Sequence, residues 1–325
     1  LVYDNANRLT TLTHQTGGGT SLASYAYAYD PGDRLTRETN AEGTATFTYN
    51  NASELTGVTG SRAETYTYDL AGNRTMAGYT TGSENKLTAG GGYTYTYDNE
   101  GNLASKRNTS SGVTTTYSYD YRNRLTGVTI GGTATATSSY DALDRRIGAK
   151  VSGTEVFTVY DGNSSQDNPY ADFTSTGTFL GRYLYADAVD ELLARTMATG
   201  GTAWYLTDRQ GSVRDVVNAS GAVIDHVVYD SYGKVTSETS PANGDRFKYT
   251  GREYDSATGL YHYRARVYDP AVGRFLQEDP LGITAGDPNF YRYVGNSPMN
   301  STDPSGLRPA IADSETGASP PQSTS

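Results

Sequence analysis

The sequence contains no cysteine, only three histidines and a single tryptophan in 325 residues. Without cysteine there is no disulfide framework and no thiol chemistry. His14, His226 and His262 are scattered and show no metal-ligand spacing. His262, between Tyr261 and Tyr263, reads as a strand residue. No apolar run approaches the roughly 20 residues that span a bilayer, so no membrane span is expected. The formal net charge is -10 and Lys and Arg form no run. A general nucleic-acid-binding surface needs clustered cations against phosphate, so that class is excluded. No Gly-x-Ser-x-Gly elbow is present. The glycine runs Gly17-Gly18-Gly19 and Gly90-Gly91-Gly92 lack a following Lys-Ser or Lys-Thr, so no phosphate loop is supported.

What is abundant is tyrosine, with 29 residues, and glycine, with 37. A chain with this much aromatic content is unlike a disordered one, although its apolar fraction is only 35%. Tyr and Thr alternate, which suits a half-buried pleated surface. The expected fold class is all-β.

An internal repeat dominates the first half. Tyr3-Asp4-Asn5-Ala6-Asn7-Arg8-Leu9-Thr10 sets it, and Tyr29-Asp30-Pro31-Gly32-Asp33-Arg34-Leu35-Thr36 repeats it. Weaker or stronger copies start at Tyr49, Tyr68, Tyr97, Tyr119 and Tyr140, at spacings of about 19 to 29 residues. The residues before each Tyr alternate, as in Tyr93-Thr94-Tyr95-Thr96-Tyr97, which is a strand signal. The Asp-x-x-Gly or Asp-x-x-Asn that follows is turn chemistry, and Arg-Leu-Thr begins the return strand. Each repeat is thus a β-hairpin of about 20 residues. A lone hairpin is marginal in water, so neighbours must pair into one long twisting sheet. The loop Asp98-Asn99-Glu100-Gly101-Asn102 loosely resembles a calcium loop, but the distal bidentate Glu is missing. No metal or cofactor is expected.

From Gly153 to Ala203 the repeat blurs. Asn163 to Pro169 reads as a polar loop, and Ala188 to Arg195 reads by context as a strand. Pattern returns at Tyr205-Leu206-Thr207-Asp208 and continues to Tyr229-Asp230-Ser231-Tyr232-Gly233. The densest stretch is Tyr249 to Leu307. It holds two Asp-Pro-x-Gly elements, Asp279-Pro280-Leu281-Gly282 and Asp303-Pro304-Ser305-Gly306. Taken alone, Asp-Pro-x-Gly is ordinary turn sequence.

This pattern closely resembles the YD repeats of the RHS family, shared with toxin-complex C proteins, polymorphic toxins and teneurins. Phe247-Lys248-Tyr249-Thr250-Gly251-Arg252-Glu253-Tyr254-Asp255 and Gly259-Leu260-Tyr261 match the RHS repeat-associated core almost residue for residue. The resemblance runs from Tyr3 to Leu307. It implies a spiral β-sheet shell ending in that core. It divides the chain into repeats (1–165), irregular linking strands (166–204), pre-core strands (205–248), core (249–307) and an unstructured tail (308–325). The chain opens at Leu1 inside the pattern, without Met or signal peptide, as expected of a piece of a longer bacterial protein.

In the family the core is a self-cleaving protease of aspartyl type that cuts after the Leu following its second Asp-Pro-x-Gly element. Carried over, the cut falls between Leu307 and Arg308, with Asp279 and Asp303 as the catalytic pair and Arg266 as a supporting charge. Two carboxyls held close cannot both ionise cheaply, so one can serve as base and the other as acid. Which Asp plays which part stays open at this point. The resemblance implies a secreted or cell-surface protein whose partner is its own C-terminal segment, carried as cargo, together with a secretion apparatus or target-cell surface. Two rival readings stand beside it. One is a non-enzymatic surface scaffold that binds carbohydrate through exposed Tyr rings. The other is a degenerate RHS element without a toxin.

Overall fold

The computed structural model describes residues 1–162, 167–187 and 189–311. The repeats form two antiparallel meanders. Seven strands run in chain order from Val2–Tyr3 to Glu64–Thr65, and sixteen more run in chain order from Thr80–Thr81 to Val235–Glu238. The fold is therefore all-β, built from paired hairpins.

Every letter of the repeat has a physical duty. Asp30 Oδ1 accepts the backbone amides of Gly32 (2.9 Å) and Arg34 (3.0 Å), which closes the turn. Asp33 takes a left-handed φ of 60° there. Arg34 Nε donates to Asp30 Oδ2 at 2.7 Å, and its guanidinium lies 5.3 Å from the ring centre of Tyr49, the next repeat's tyrosine. Tyr49 Oη donates back to the Leu35 carbonyl at 2.7 Å. The same set recurs at Asp120, Arg124, Leu125 and Tyr140, with Arg124 4.7 Å over the Tyr140 ring and Tyr140 Oη 2.7 Å from the Leu125 carbonyl. Where a repeat carries Arg at this position it is thus tied to the next by one hydrogen bond worth about 1 kcal/mol net and one cation–π contact worth about half to one more. The sheet therefore extends turn by turn. In the loop Asp98 to Asn102, the carboxylate of Asp98 is engaged by the amides of Glu100 and Asn102 and by the Asn102 side chain. Among the described residues no cluster of three or more His, Cys, Asp or Glu could hold a metal ion.

One long sheet was expected, and the ladder instead breaks between Thr65 and Thr80. There the repeat Tyr68-Asp69-Leu70-Ala71-Gly72-Asn73-Arg74 keeps only an isolated bridge, Tyr68 to Arg74. Its side chains are drawn inward. Asn73 Oδ1 accepts from Arg274 (3.1 Å) and Asn289 (2.9 Å), and the Arg74 guanidinium packs 4.2 Å from the Tyr232 ring centre. Contacts with the core replace ladder hydrogen bonds at this point.

The linking region is more regular than its sequence suggests. Pro169–Phe173, Phe179–Tyr185, Leu192–Met197 and Gly201–Thr207 are ordinary strands of the larger sheet. The strand expected over Ala188 to Arg195 begins at Leu192; Val189 and Asp190 form a turn, and Ala188 lies outside the described residues. Of the polar loop expected from Asn163 to Pro169, residues 163–166 also lie outside them.

The chain then leaves the sheet and enters its concave side. Glu253–Asp255, Leu260–Tyr263, Arg266–Asp269 and Arg274–Phe275 form a small four-stranded sheet. Every residue of the middle two strands is buried, on both faces. Tyr261, Tyr263, Tyr268 and Tyr293 pack in one cluster with Tyr25, Leu35, Phe47 and Leu55 from the first repeats. Leu260, Val267 and Leu276 pack against Leu103, Tyr117 and Val128 from later repeats. Phe247 anchors a third cluster with Tyr183 and Tyr205. The repeats thus wrap around the core, which fills their interior.

The two ends of the wrap meet through side chains. His14 Nε2 is 2.8 Å from the Thr207 carbonyl, and the Arg209 amide donates to Tyr27 Oη at 3.2 Å. Glu42 pairs with Arg214 and, at 2.9 Å, with His226.

Candidate functional site

The structure brings Arg266, Asp279 and Asp303 together, though 37 residues separate the first from the last. Arg266 opens a fully buried strand of the core sheet. Asp279 sits in a turn: its carbonyl accepts Gly282 N at 2.8 Å and its Oδ1 accepts Leu281 N at 2.9 Å. Asp303 follows the two-residue strand Ser301–Thr302 and starts the turn that leads to Leu307.

Arg266 organises the group. Nη2 lies 2.9 Å from Asp279 Oδ2 and 3.5 Å from Asp303 Oδ2, so both carboxylates flank one nitrogen. Nη1 donates to the Phe290 carbonyl at 2.9 Å, and Nε to the Gly306 carbonyl at 2.5 Å. The guanidinium plane rests 3.7 Å from the Phe275 ring centre. Exposures of 4% for Arg266, 8% for Asp279 and 2% for Asp303 put all three out of bulk water. Burial pulls the Arg266 guanidinium below its usual value, against the opposing pull of Asp279 and Asp303. Burial pushes the Asp303 carboxyl up, opposed by Arg266 and by the amides of Arg308 and Leu307.

Asp303 also touches the Leu307–Arg308 peptide. Its Oδ1 accepts the amides of Leu307 and Arg308, each at 3.0 Å, and the Ser305 hydroxyl at 3.2 Å. Gly306 makes this approach possible. It sits at a φ of 73°, and a Cβ there would lie 2.1 Å from the Tyr263 carbonyl oxygen. The chain leading into the Leu307–Arg308 bond therefore lies flat against the core. Leu307 and Ser305 line a cavity of about 260 Å³ together with Arg252, Arg264 and His262. His262 is buried in the strand Leu260–Tyr263, and burial first, then the nearby Arg146, drives its pKa well down, leaving the ring neutral.

Chemically, this is a buried pair of carboxyls beside one peptide bond. One of them contacts the amide nitrogen that would leave on hydrolysis. Sequence reasoning did not find Ser305, nor the pair Arg252 and Arg264, which both donate to the Pro304 carbonyl. Arg264 carried a signal, since it alternates with Arg266 across Ala265. Asp190, which pairs with both arginines, carried none, because it lies in a turn far away in sequence.

The segment 308–325, expected to be unstructured, is placed as far as residue 311. Ala310–Ile311 pairs with Ser301–Thr302, and residues 312–325 lie outside the described residues.

Residues 1–299 match the teneurin YD-shell family. The chain belongs to that family. Over 314 residues the YD-shell is 32% identical to a tRNA3(Ser)-specific nuclease, WapA, of Bacillus spizizenii, a match that covers 94% of this chain and 12% of WapA. It is 28% identical over 342 residues to double-stranded DNA deaminase toxin A of Burkholderia cenocepacia, covering 91% of this chain and 23% of the toxin. Among solved structures, a Tc holotoxin pore of Photorhabdus luminescens superposes with a TM-score of 0.64 at 20% identity, covering 99% of this chain and 18% of that one. A TcdB2-TccC3-Cdc42 crystal structure gives 0.64 at 21% identity, covering 94% and 18%. At such identities the likeness shows the fold. The YD-shell described here spans less than a quarter of the length of each of these relatives.

Proposed function

We propose that this YD-shell is the C-terminal part of an RHS-type toxin-encapsulating shell, and that its core cleaves its own chain between Leu307 and Arg308. The observation that carries the reading is the double engagement of Asp303. Its Oδ1 meets the Arg308 amide while its Oδ2 shares Arg266 with Asp279. Names of relatives that denote a nuclease and a deaminase toxin support a toxin cargo downstream of the core. They also support a secreted or cell-surface setting. No helix among the described residues is long and apolar enough to cross a membrane.

The chemistry this reading assigns is hydrolysis by the carboxyl pair. Asp279, paired with Arg266 at 2.9 Å, takes a proton from a water that adds to the Leu307 carbonyl carbon. Asp303, whose pKa burial raises, accepts the Arg308 N–H at rest; as that nitrogen becomes tetrahedral the bond is released, and the protonated carboxyl gives its proton to the nitrogen lone pair while the carbon–nitrogen bond breaks. The products are a carboxyl group on Leu307 and an amine on Arg308. One proton has moved from water through the pair to the amine. Arg266 keeps the two carboxyls facing each other and grips Gly306, one residue before the bond.

Intact mass of the purified chain tests this beside Asp279→Asn and Asp303→Asn. The expected wild-type product ends at Leu307, and both variants keep Ser325. Full-length mass for a folded wild type would sink the reading and leave a non-enzymatic scaffold.

A further inference from the structure

Three consecutive carbonyl oxygens before the proposed scissile bond are gripped from the core. The Pro304 oxygen accepts from Arg252 Nη1 at 2.9 Å and from Arg264 Nη1. The Ser305 oxygen accepts from Ala265 N at 3.2 Å. The Gly306 oxygen accepts from Arg266 Nε. The second grip needs only backbone, and the third uses an arginine that the carboxyl pair itself neutralises. The first is different, because two guanidiniums converge on one oxygen. Like charges held together in a buried place repel strongly unless an anion stands between them.

That anion comes from the shell. Asp190 Oδ1 lies 3.0 Å from Arg252 Nη2 and 2.8 Å from Arg264 Nη2, and its Oδ2 lies 3.1 Å from Arg264 Nη1. Asp190 belongs to the turn between the shell strands Phe179–Tyr185 and Leu192–Met197, and its side chain is 8% exposed. It has a φ of 62°, a left-handed conformation that is uncommon away from glycine, and one that Asp tolerates better than most residues. Its carbonyl presses on Gly251 of the core, where a Cβ would lie 2.8 Å away. A charged residue in a left-handed turn, seated on a glycine, is a specific fit.

We propose that Asp190 is a positioning residue through which the shell licenses cleavage: once its turn docks, it locks Arg252 and Arg264 onto the Pro304 carbonyl and holds the Asp303 turn in its reactive geometry. This rests on the cleavage reading above. A core that has not been wrapped by the shell keeps Glu253 near Arg252 but lacks the carboxylate that bridges Arg252 to Arg264, so the two arginines splay and the Asp303 turn loosens. The chain is then cut only after the compartment around it has formed.

Cell-free synthesis followed by intact mass gives the rate at which chains ending at Leu307 appear. Wild type that is never cut defeats the cleavage reading itself, whatever Asp190 does. With wild type cut, Asp190→Asn is expected to slow the reaction by about tenfold to about a hundredfold, the scale of a misplacement near 1 Å. Asp190→Glu, which restores the charge, is expected to recover most of the rate. The pH–rate profile of Asp190→Asn should keep the wild-type midpoints with a lower plateau. Moved midpoints would assign Asp190 to the proton chemistry and overturn the proposal, as would an unchanged rate. Asp172→Asn is the control. It breaks another buried contact of a shell strand, with Arg246 of the pre-core segment and with Tyr183 of the neighbouring strand, away from the Asp303 turn. It should lower the melting temperature and leave the rate intact; a matching loss of rate would reduce Asp190 to a general stabiliser and overturn the proposal. If Asp190→Asn fails to fold by circular dichroism, Arg264→Gln carries the test, and an unchanged rate there overturns it equally.

Discussion

Asp303 reaches forward over its own turn to accept the amide of Arg308, five residues on, at 3.0 Å. A carboxylate before Pro usually caps the amides of the next two or three residues. Here the turn is wound one step further, because Gly306 turns left-handed and Arg266 pins its carbonyl. The result places a buried carboxyl on the nitrogen side of one particular peptide bond.

Arg266 is the residue on which this arrangement depends most. Arg266→Gln leaves two buried carboxyl groups without the cation between them. Breaking a buried pair by removing one partner costs about 3 to 5 kcal/mol. Thermal melting of Arg266→Gln against wild type at neutral pH should show that loss. Adding Asp279→Asn and Asp303→Asn to Arg266→Gln should recover part of it, since the uncompensated charges go. A melting temperature equal to wild type for Arg266→Gln would mean that the carboxylates do not need their cation.

The two Asp-Pro-x-Gly turns look alike in sequence and differ in what a methyl group would meet. Gly306→Ala drives a Cβ to 2.1 Å from the Tyr263 carbonyl, whereas Gly282→Ala meets nothing within 4 Å. Both glycines have positive φ, 73° and 54°. Gly282→Ala should therefore cost only the left-handed penalty of about 1 to 2 kcal/mol. Gly306→Ala should cost clearly more and displace Leu307 from Asp303. Urea midpoints of the two variants compare them directly, and equal losses would contradict the predicted contact.

How much of this was legible from residues alone depends on distance along the chain. The Tyr, Asp, Arg and Leu of each repeat interact within one repeat or with the next, so pattern alone placed them on strands and turns. Tyr68 to Arg74 carries nearly the same letters and leaves the sheet, because Arg274 and Asn289, some 200 residues on, capture Asn73. Locally that copy differs in carrying Asn73 and Arg74 where the first two repeats carry Arg and Leu. Asp279, Asp303 and Arg266 were named through family resemblance, and the fold brings all three together. Asp190 was invisible because its partners, Arg252 and Arg264, are reached only when the wrap closes.

The repeat-to-repeat tie predicts a small and regular cost. Tyr49→Phe removes the hydroxyl that donates to the Leu35 carbonyl and also meets the Asn300 side chain, and leaves the ring under Arg34. The loss should be about 1 kcal/mol, the net worth of one such hydrogen bond. Tyr140→Phe, at the equivalent place on Leu125, should match it. Chemical denaturation of the two single variants and the double variant should give additive losses, as expected of sites far apart. Strong coupling between them would show that the repeats do not act as nearest-neighbour units.

The seam where the wrap closes is set to fail in base. His226 is held between Asp215 (2.7 Å) and Glu42 (2.9 Å), and these two carboxylates, Asp215 first, raise its pKa to about 9 against the opposing effect of burial. A group whose folded pKa lies above its unfolded value near 6.5 stabilises fully below 6.5 and loses that contribution as pH rises through 9. Glu42 behaves in the opposite sense. Burial pushes it up, but His226 and Arg214 outweigh that and bring it to about 2, so its contribution stands above pH 4.5 and fades as pH falls toward 2. Urea midpoints at pH 6, 7.5 and 9.5 should therefore fall with rising pH in wild type. In His226→Gln the slope over that window should flatten, because the titrating group is gone. An equally steep fall in the variant would place the alkaline sensitivity elsewhere in the shell.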